Sequence, residues 1–166
     1  MKKALQSLLF LILLAGSELF AQTSSPAKKP QSMCPSADLA ALKQQWSGWV
    51  AAYASYDLKA TMDIFAEDVI FSFQGSPDQH YADLESGYKA EFARARTQRE
   101  WVPEFEESEC SGNLAFVRST WILRQTDPSG KIEDLTKNRG IDLFRRSKDG
   151  KWKIFRSLNY PFNPGT

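Results

Sequence analysis

Histidine is almost missing from this chain: His80 is the only one in 166 residues, so no site can rest on several imidazoles. Cysteine occurs twice, at Cys34 and Cys110, without the paired spacing of a zinc site or a redox motif. There is no Gly-rich phosphate loop, no dinucleotide fingerprint and no Gly-x-Ser-x-Gly elbow. Carboxylates are plentiful, but no His, Cys, Asp and Glu set has ligand spacing, so neither metal nor cofactor is expected. An excess of one charge is also lacking. The formal charge is +1 and no patch is strongly basic, which removes the electrostatic footprint of nucleic-acid binding.

What remains is rich in rings. Apolar residues make up 42% and aromatics 13%, enough for one sizeable core but too short for two ordinary domains. Lys2 and Lys3 precede the apolar run Leu8–Ala15, and a small-residue exit leads to Ala21. This is the layout of a cleaved secretory signal over residues 1–21. The run is shorter than the roughly 20 residues that span a bilayer, so no stable membrane anchor is expected. Ser17 stands where a lipobox needs cysteine, so no acylation is expected either. Residues 22–36 are Ser, Pro, Lys and Gln with little to bury, and read as a flexible leader before one domain over 37–163. The expected location is secreted or periplasmic.

In an oxidising compartment two cysteines form a disulfide more often than they stay free thiols. A Cys34–Cys110 bridge would tether the leader to a turn at Ser111-Gly112-Asn113. Two unpaired cysteines, one of them in a tail, is the competing reading. Neither has a histidine nearby in sequence to make it a nucleophile.

Leu39, Leu42, Trp46, Trp49, Val50 and Tyr53 recur at spacings of three and four, which predicts a helix over 38–56. Asp57 has the place of an N-cap for a second helix over 58–66. A short strand follows at 69–73, then a third helix over 81–95 through Leu84, Tyr88 and Phe92. Everything after is strand and turn: 101–109, 114–126, 133–146 and 152–160, joined by Ser-Gly-Asn, Asp-Pro-Ser-Gly and Lys-Asp-Gly. Along 114–126 the set Ala115, Val117, Ser119, Trp121 and Leu123 is expected to face the helices, with Phe116 and Ile122 outward. Three helices and then a meander make an α+β domain with helices on one face of a bent sheet.

Tyr56-Asp57 leading into Ile64-Phe65-Ala66-Glu67-Asp68-Val69, then Ser111 to Arg118, then Phe144-Arg145-Arg146 through Lys148 to Ile154 carry a resemblance. In order and spacing they resemble the nuclear-transport-factor-2-like superfamily, in its SnoaL-like and domain-of-unknown-function-4440 branch. The resemblance implies a cone-shaped, cystatin-like fold in which a strongly curved antiparallel sheet wraps the first helix and leaves a pocket for a small-molecule ligand. It also implies a homodimer joined through the outer face of the sheet. Fold alone does not decide the chemistry.

The ketosteroid isomerases of the superfamily use a carboxylate base, a tyrosine and a protonated aspartate. Aligned on this chain, the base position falls on Phe73 and the tyrosine position on Trp49. Only the aspartate survives, as Asp142 within Ile141-Asp142-Leu143-Phe144. Turned inward among apolar neighbours, Asp142 would be desolvated and could act as acid, base or ligand anchor. Paired with Arg139, Arg156 or a tyrosine hydroxyl, it would be structural. His80 reads as a surface loop residue.

The expected ligand pocket comprises Trp46, Trp49, Tyr53, Phe73, Trp121, Asp142, Asn159 and Tyr160, although core filling accounts for the aromatics equally well. Three functions are ranked from this. The first is an exported protein binding an apolar or ring-containing molecule without established catalysis. The second is an isomerase, dehydratase or hydrolase centred on Asp142, and the third a dimeric interaction domain.

Overall fold

A computed structural model describes residues 31–94 and 98–162. The expected signal segment and most of the leader lie outside the described residues.

Helix α1 (Ser36–Ala54) turns Leu42, Trp46, Ala52 and Tyr53 into the core. It ends in a reversal at Tyr56, whose φ is 59°. The Asp57 N–H donates to Ala52 O and the Tyr56 N–H to Tyr53 O, both at 3.0 Å, closing the orphan carbonyls of the last turn. Asp57 then caps α2 (Leu58–Met62) as expected, its carboxylate accepting from the Ala60 N–H at 3.0 Å. The second helix stops four residues earlier than its apolar spacing predicts. Tertiary pairing outcompetes it: the Ile154 N–H donates to Ile64 O, and Phe65 already belongs to strand β2 (Phe65–Phe73). Helix α3 (Tyr81–Phe92) starts at His80, which is exposed.

Four long strands follow: β3 (Gln98–Ser111), β4 (Leu114–Thr126), β5 (Ile132–Arg146) and β6 (Trp152–Pro161). Gly112 and Gly150 make their turns at φ of 57° and 84°, where a side chain would be strained. The sheet order is β1-β3-β4-β5-β6-β2, with β1 the two-residue strand Gln31–Ser32. The meander is antiparallel, but both edge strands pair in parallel, β2 with β6 and β1 with β3. Register shifts interrupt β3 at Phe105–Glu107, β4 at Leu123–Arg124 and β5 at Leu143–Phe144. Such bulges raise local twist and bend the strands, which is how one sheet curls round a helix.

Only the end of the expected leader, residues 31–36, falls among the described residues. It begins as β1, and Cys34 is joined to Cys110 across a Cα separation of 4.7 Å, with the helix beginning only two residues later. The facing of β4 is mostly as expected: Ala115, Val117 and Ser119 are buried on the helix side. Ile122, expected outward and open, is only 5% exposed. At that end of the outer face the chain folds back, with the Phe162 N–H on Lys137 O and the Arg139 guanidinium 3.5 Å from the Phe162 ring. Leu42, Trp46, Met62, Val69, Phe144 and Trp152 form the centre of the core.

Candidate functional site

Period-2 alternation builds the inner wall. Across the sheet, Phe73 pairs with Asn159, Asn159 with Gly140 and Gly140 with Ser119. One layer further in, Phe71 pairs with Ser157, Ser157 with Asp142 and Asp142 with Val117. Helix α1 lays Trp46, Trp49 and Tyr53 over this wall, and α3 adds Tyr88 and Glu91. The helices and sheet do not meet completely. A cavity of about 250 Å³ remains, lined by these residues with Phe65, Phe71, Phe73, Trp101, Trp121, Asn138, Asp142 and Asn159.

Asp142 is 5% exposed. Burial pushes its carboxyl up to about 6, with the hydrogen bond from Ser157 working in the opposite direction. The Ser157 hydroxyl donates to Asp142 Oδ1 at 2.6 Å, and Asn159 Nδ2 donates to Ser157 Oγ at 2.7 Å. Gly140 makes this chain possible: a Cβ there would lie 2.7 Å from Asn159 Cγ. The two arginines weighed as partners for Asp142 are engaged elsewhere. Arg139 lies on the outer face, its Nε 2.9 Å from Glu106 Oε1, and Arg156 donates to Asp68 O at 3.0 Å.

The Tyr53 hydroxyl donates to Glu91 Oε1 at 2.5 Å, bridging α1 and α3. Burial raises the Tyr53 phenol, and the Glu91 carboxylate it bonds raises it further, so it stays a donor at any physiological pH. Burial likewise raises the Tyr88 phenol. The indole N–H groups of Trp46 and Trp49 are buried without an acceptor among the described residues.

Of the eight expected pocket residues, seven line this cavity: Trp46, Trp49, Tyr53, Phe73, Trp121, Asp142 and Asn159. Tyr160 does not. It follows Asn159 on the strand, so it points to the other face, where it is 39% exposed and pairs in register with Arg139. Glu91, Tyr88, Phe71, Trp101 and Asn138 were not foreseen as lining. Phe71 was within reach, since it shares a strand face with Phe73, and Tyr88 and Glu91 sit three apart on one helix. Asn138 and Trp101 depend on the register of long strands and carried no such signal. Phe73 and Trp49 do stand in the cavity, where the resemblance puts the isomerase base and tyrosine, but neither carries a group for proton transfer.

Helices packed inside a curved sheet, around an aromatic cavity with a buried carboxylate, define an α+β domain with an internal cavity. The chain belongs to the SnoaL-like domain family, whose match covers residues 46–155. It is similar in fold to a conserved protein from Planctomyces limnophilus, at 22% identity and a TM-score of 0.64 over 76% of this chain and 97% of that one. A ketosteroid isomerase-like protein from Erwinia carotovora atroseptica is 21% identical, with a TM-score of 0.60 over 78% of this chain and 100% of the other. An NTF2-like protein with a cystatin-like fold from Novosphingobium aromaticivorans is 16% identical, with a TM-score of 0.64 over 78% and 85%. No curated protein matches. Among the described residues, no helix is long and apolar enough to cross a membrane, and no group of three or more His, Cys, Asp or Glu could hold a metal.

Proposed function

We propose that this protein binds a small, ring-containing, largely apolar molecule in the cavity under α1, with Asp142 as its polar anchor. The observation that carries this reading is an unfilled space of about 250 Å³ walled by aromatic rings, with a buried carboxylate opening onto it. A core packed for stability alone leaves few voids larger than a water molecule. Binding is favoured over isomerase chemistry because two of the three positions that chemistry needs carry Phe73 and Trp49. Trp46, Trp49, Trp101 and Trp121 line the cavity, so occupancy reports on itself. Titration with naphthalene or indole-sized probes should change tryptophan emission saturably, and Phe73→Trp, which fills the space, should suppress the change. A linear, non-saturating response to every probe would overturn the reading.

We further propose that the protein is exported to the periplasm or beyond and acts there as a homodimer. The N-terminal address and the Cys34–Cys110 bridge support export. For the dimer, Phe116 pairs with Leu143 and Ile141 with Leu158, giving a contiguous apolar band on the outer sheet face. Ile141, Leu143 and Leu158 are 37%, 37% and 55% exposed. Native mass spectrometry of protein recovered from the exported fraction tests both points. The expected species starts at Gln22 and has twice the chain mass; a chain starting at Met1, or a monomer at high concentration, would count against export or dimer respectively.

A further inference from the structure

The cavity is aromatic and acidic at once. Four indoles and two phenols, from Trp46, Trp49, Trp101, Trp121, Tyr53 and Tyr88, surround it. Asp142 enters from β5 and half-buried Glu91 from α3. The remaining lining from β2, β4, β5 and β6 is apolar, aromatic or amide, and no Lys, Arg or His is among the lining residues described. The charge of Arg99 is felt at Tyr53, but its Nε is held by Gln125 Oε1 at 3.0 Å.

Elsewhere several acids are paired with cations. Asp63 has Lys151 and Lys153, Asp68 has Arg145, and Glu106 has both Arg118 and Arg139. Its cations also find ring faces, as Arg146 does 4.2 Å from the Trp152 ring and Arg139 3.5 Å from Phe162. Asp142 departs from this pattern, being the more deeply buried acid and having a hydroxyl as its hydrogen-bond donor instead of a cation. A buried carboxylate without a countercharge is costly, and the cost falls when a cation is supplied. Aromatic faces are negative, so they attract a cation and give an anion nothing. A neutral hydrocarbon would fill the space and leave the carboxylate uncompensated.

We infer that the cavity is a receptor site for a small organic cation, an ammonium group carried on an aromatic or aliphatic body, with its charge held between the indole faces and the Asp142 carboxylate. This rests on the reading of the cavity as a ligand site. At about 250 Å³ the space suits a body of one or two rings and sits at the small end of ligand pockets.

A permanently charged ligand separates this inference from general apolar binding. Benzyltrimethylammonium and its uncharged carbon isostere, neopentylbenzene, are to be titrated against the disulfide-intact protein, followed by tryptophan emission. At about pH 7.5 the cation should bind at least about ten-fold tighter than the isostere, equivalent to about 1.4 kcal/mol. Because the cation favours the ionised form of Asp142, its advantage should shrink several-fold at about pH 5. Asp142→Asn should bring the ratio of the two affinities close to one, and Glu91→Gln should lower it by a smaller factor. Near-ultraviolet circular dichroism checks that each variant is folded, and the pH series on the unaltered protein stands if one is not. Equal or tighter binding of neopentylbenzene would overturn the cation inference and leave the apolar ligand site intact. If neither compound binds saturably, the ligand-site reading falls as well.

Discussion

Asp142→Asn is expected to make the folded protein more stable at neutral pH, by about 2 kcal/mol. Burial raises the Asp142 carboxyl from its ordinary 3.8 to about 6. That difference corresponds to about 3 kcal/mol between the protonated and ionised folded states. The sign follows from which state holds the proton more tightly. A folded-state value above the unfolded one means that the stabilisation is present in full below about 3.8 and is lost as pH rises through about 6. At pH 7 the native protein therefore carries the cost of an ionised, buried acid. Asparagine removes that cost and keeps an oxygen to accept from Ser157, which now donates at 2.6 Å. Its amide N–H groups need acceptors that an apolar cavity supplies poorly, which takes back about 1 kcal/mol.

Urea denaturation of both proteins between about pH 4 and pH 8 measures this. The difference between them isolates Asp142, because Asp63, Asp68, Asp127 and Asp149 are all held below the ordinary carboxylate range and act in the opposite direction in both chains. The variant should lead at high pH, and its lead should vanish toward pH 4. A variant less stable than the parent at pH 7, or a pH-independent difference, would show that Asp142 is compensated by something other than Ser157. A gain in stability combined with a loss of cation selectivity is the usual sign of a group kept for function, because sites hold groups that a stable fold would discard.

Breaking the disulfide should have the largest effect on stability of any single change, about 4 kcal/mol. The bridge joins positions 76 apart in sequence, and closing a loop of that length removes roughly 4–5 kcal/mol of unfolded-chain entropy in the simple model. For a domain with typical stability of about 5–15 kcal/mol this is a large share. The loss should also be felt at the site. The bridge pins the start of α1 to the end of β3, and α1 carries Trp46, Trp49 and Tyr53 into the cavity. Denaturation with and without reductant, and of Cys34→Ser with Cys110→Ser, should give matching losses. Saturable probe binding should weaken in parallel. A loss under about 1 kcal/mol would mean that β1 pairing and α1 packing already order the N-terminal end without the bridge.

The order of elements was legible because each rests on local chemistry. Leu42, Trp46 and Tyr53 show the helical period, Asp57 has the chemistry of a cap, and Gly112 and Gly150 occupy turns that need positive φ. Most of the pocket was legible for the same reason, since one helix stripe and one strand face converge on it. What failed were readings that depend on distant partners. The second helix stops at Met62 because residues 64–65 are taken by β6, and Ile122 is buried although it stands on the outer face.

Sequence alone thus determined the α+β class, the two cysteines available for a bridge and the aromatic stripe of α1, all carried by neighbours within a few residues. Only the tertiary structure decided that Asp142 turns inward and Tyr160 outward, that Ser157 and Asn159 hold the carboxylate, and that Glu91 arrives from α3. Each of these depends on strand register or helix docking. A slip of one residue in register exchanges the faces of a whole strand, and nothing local to the strand records which face the rest of the chain will cover.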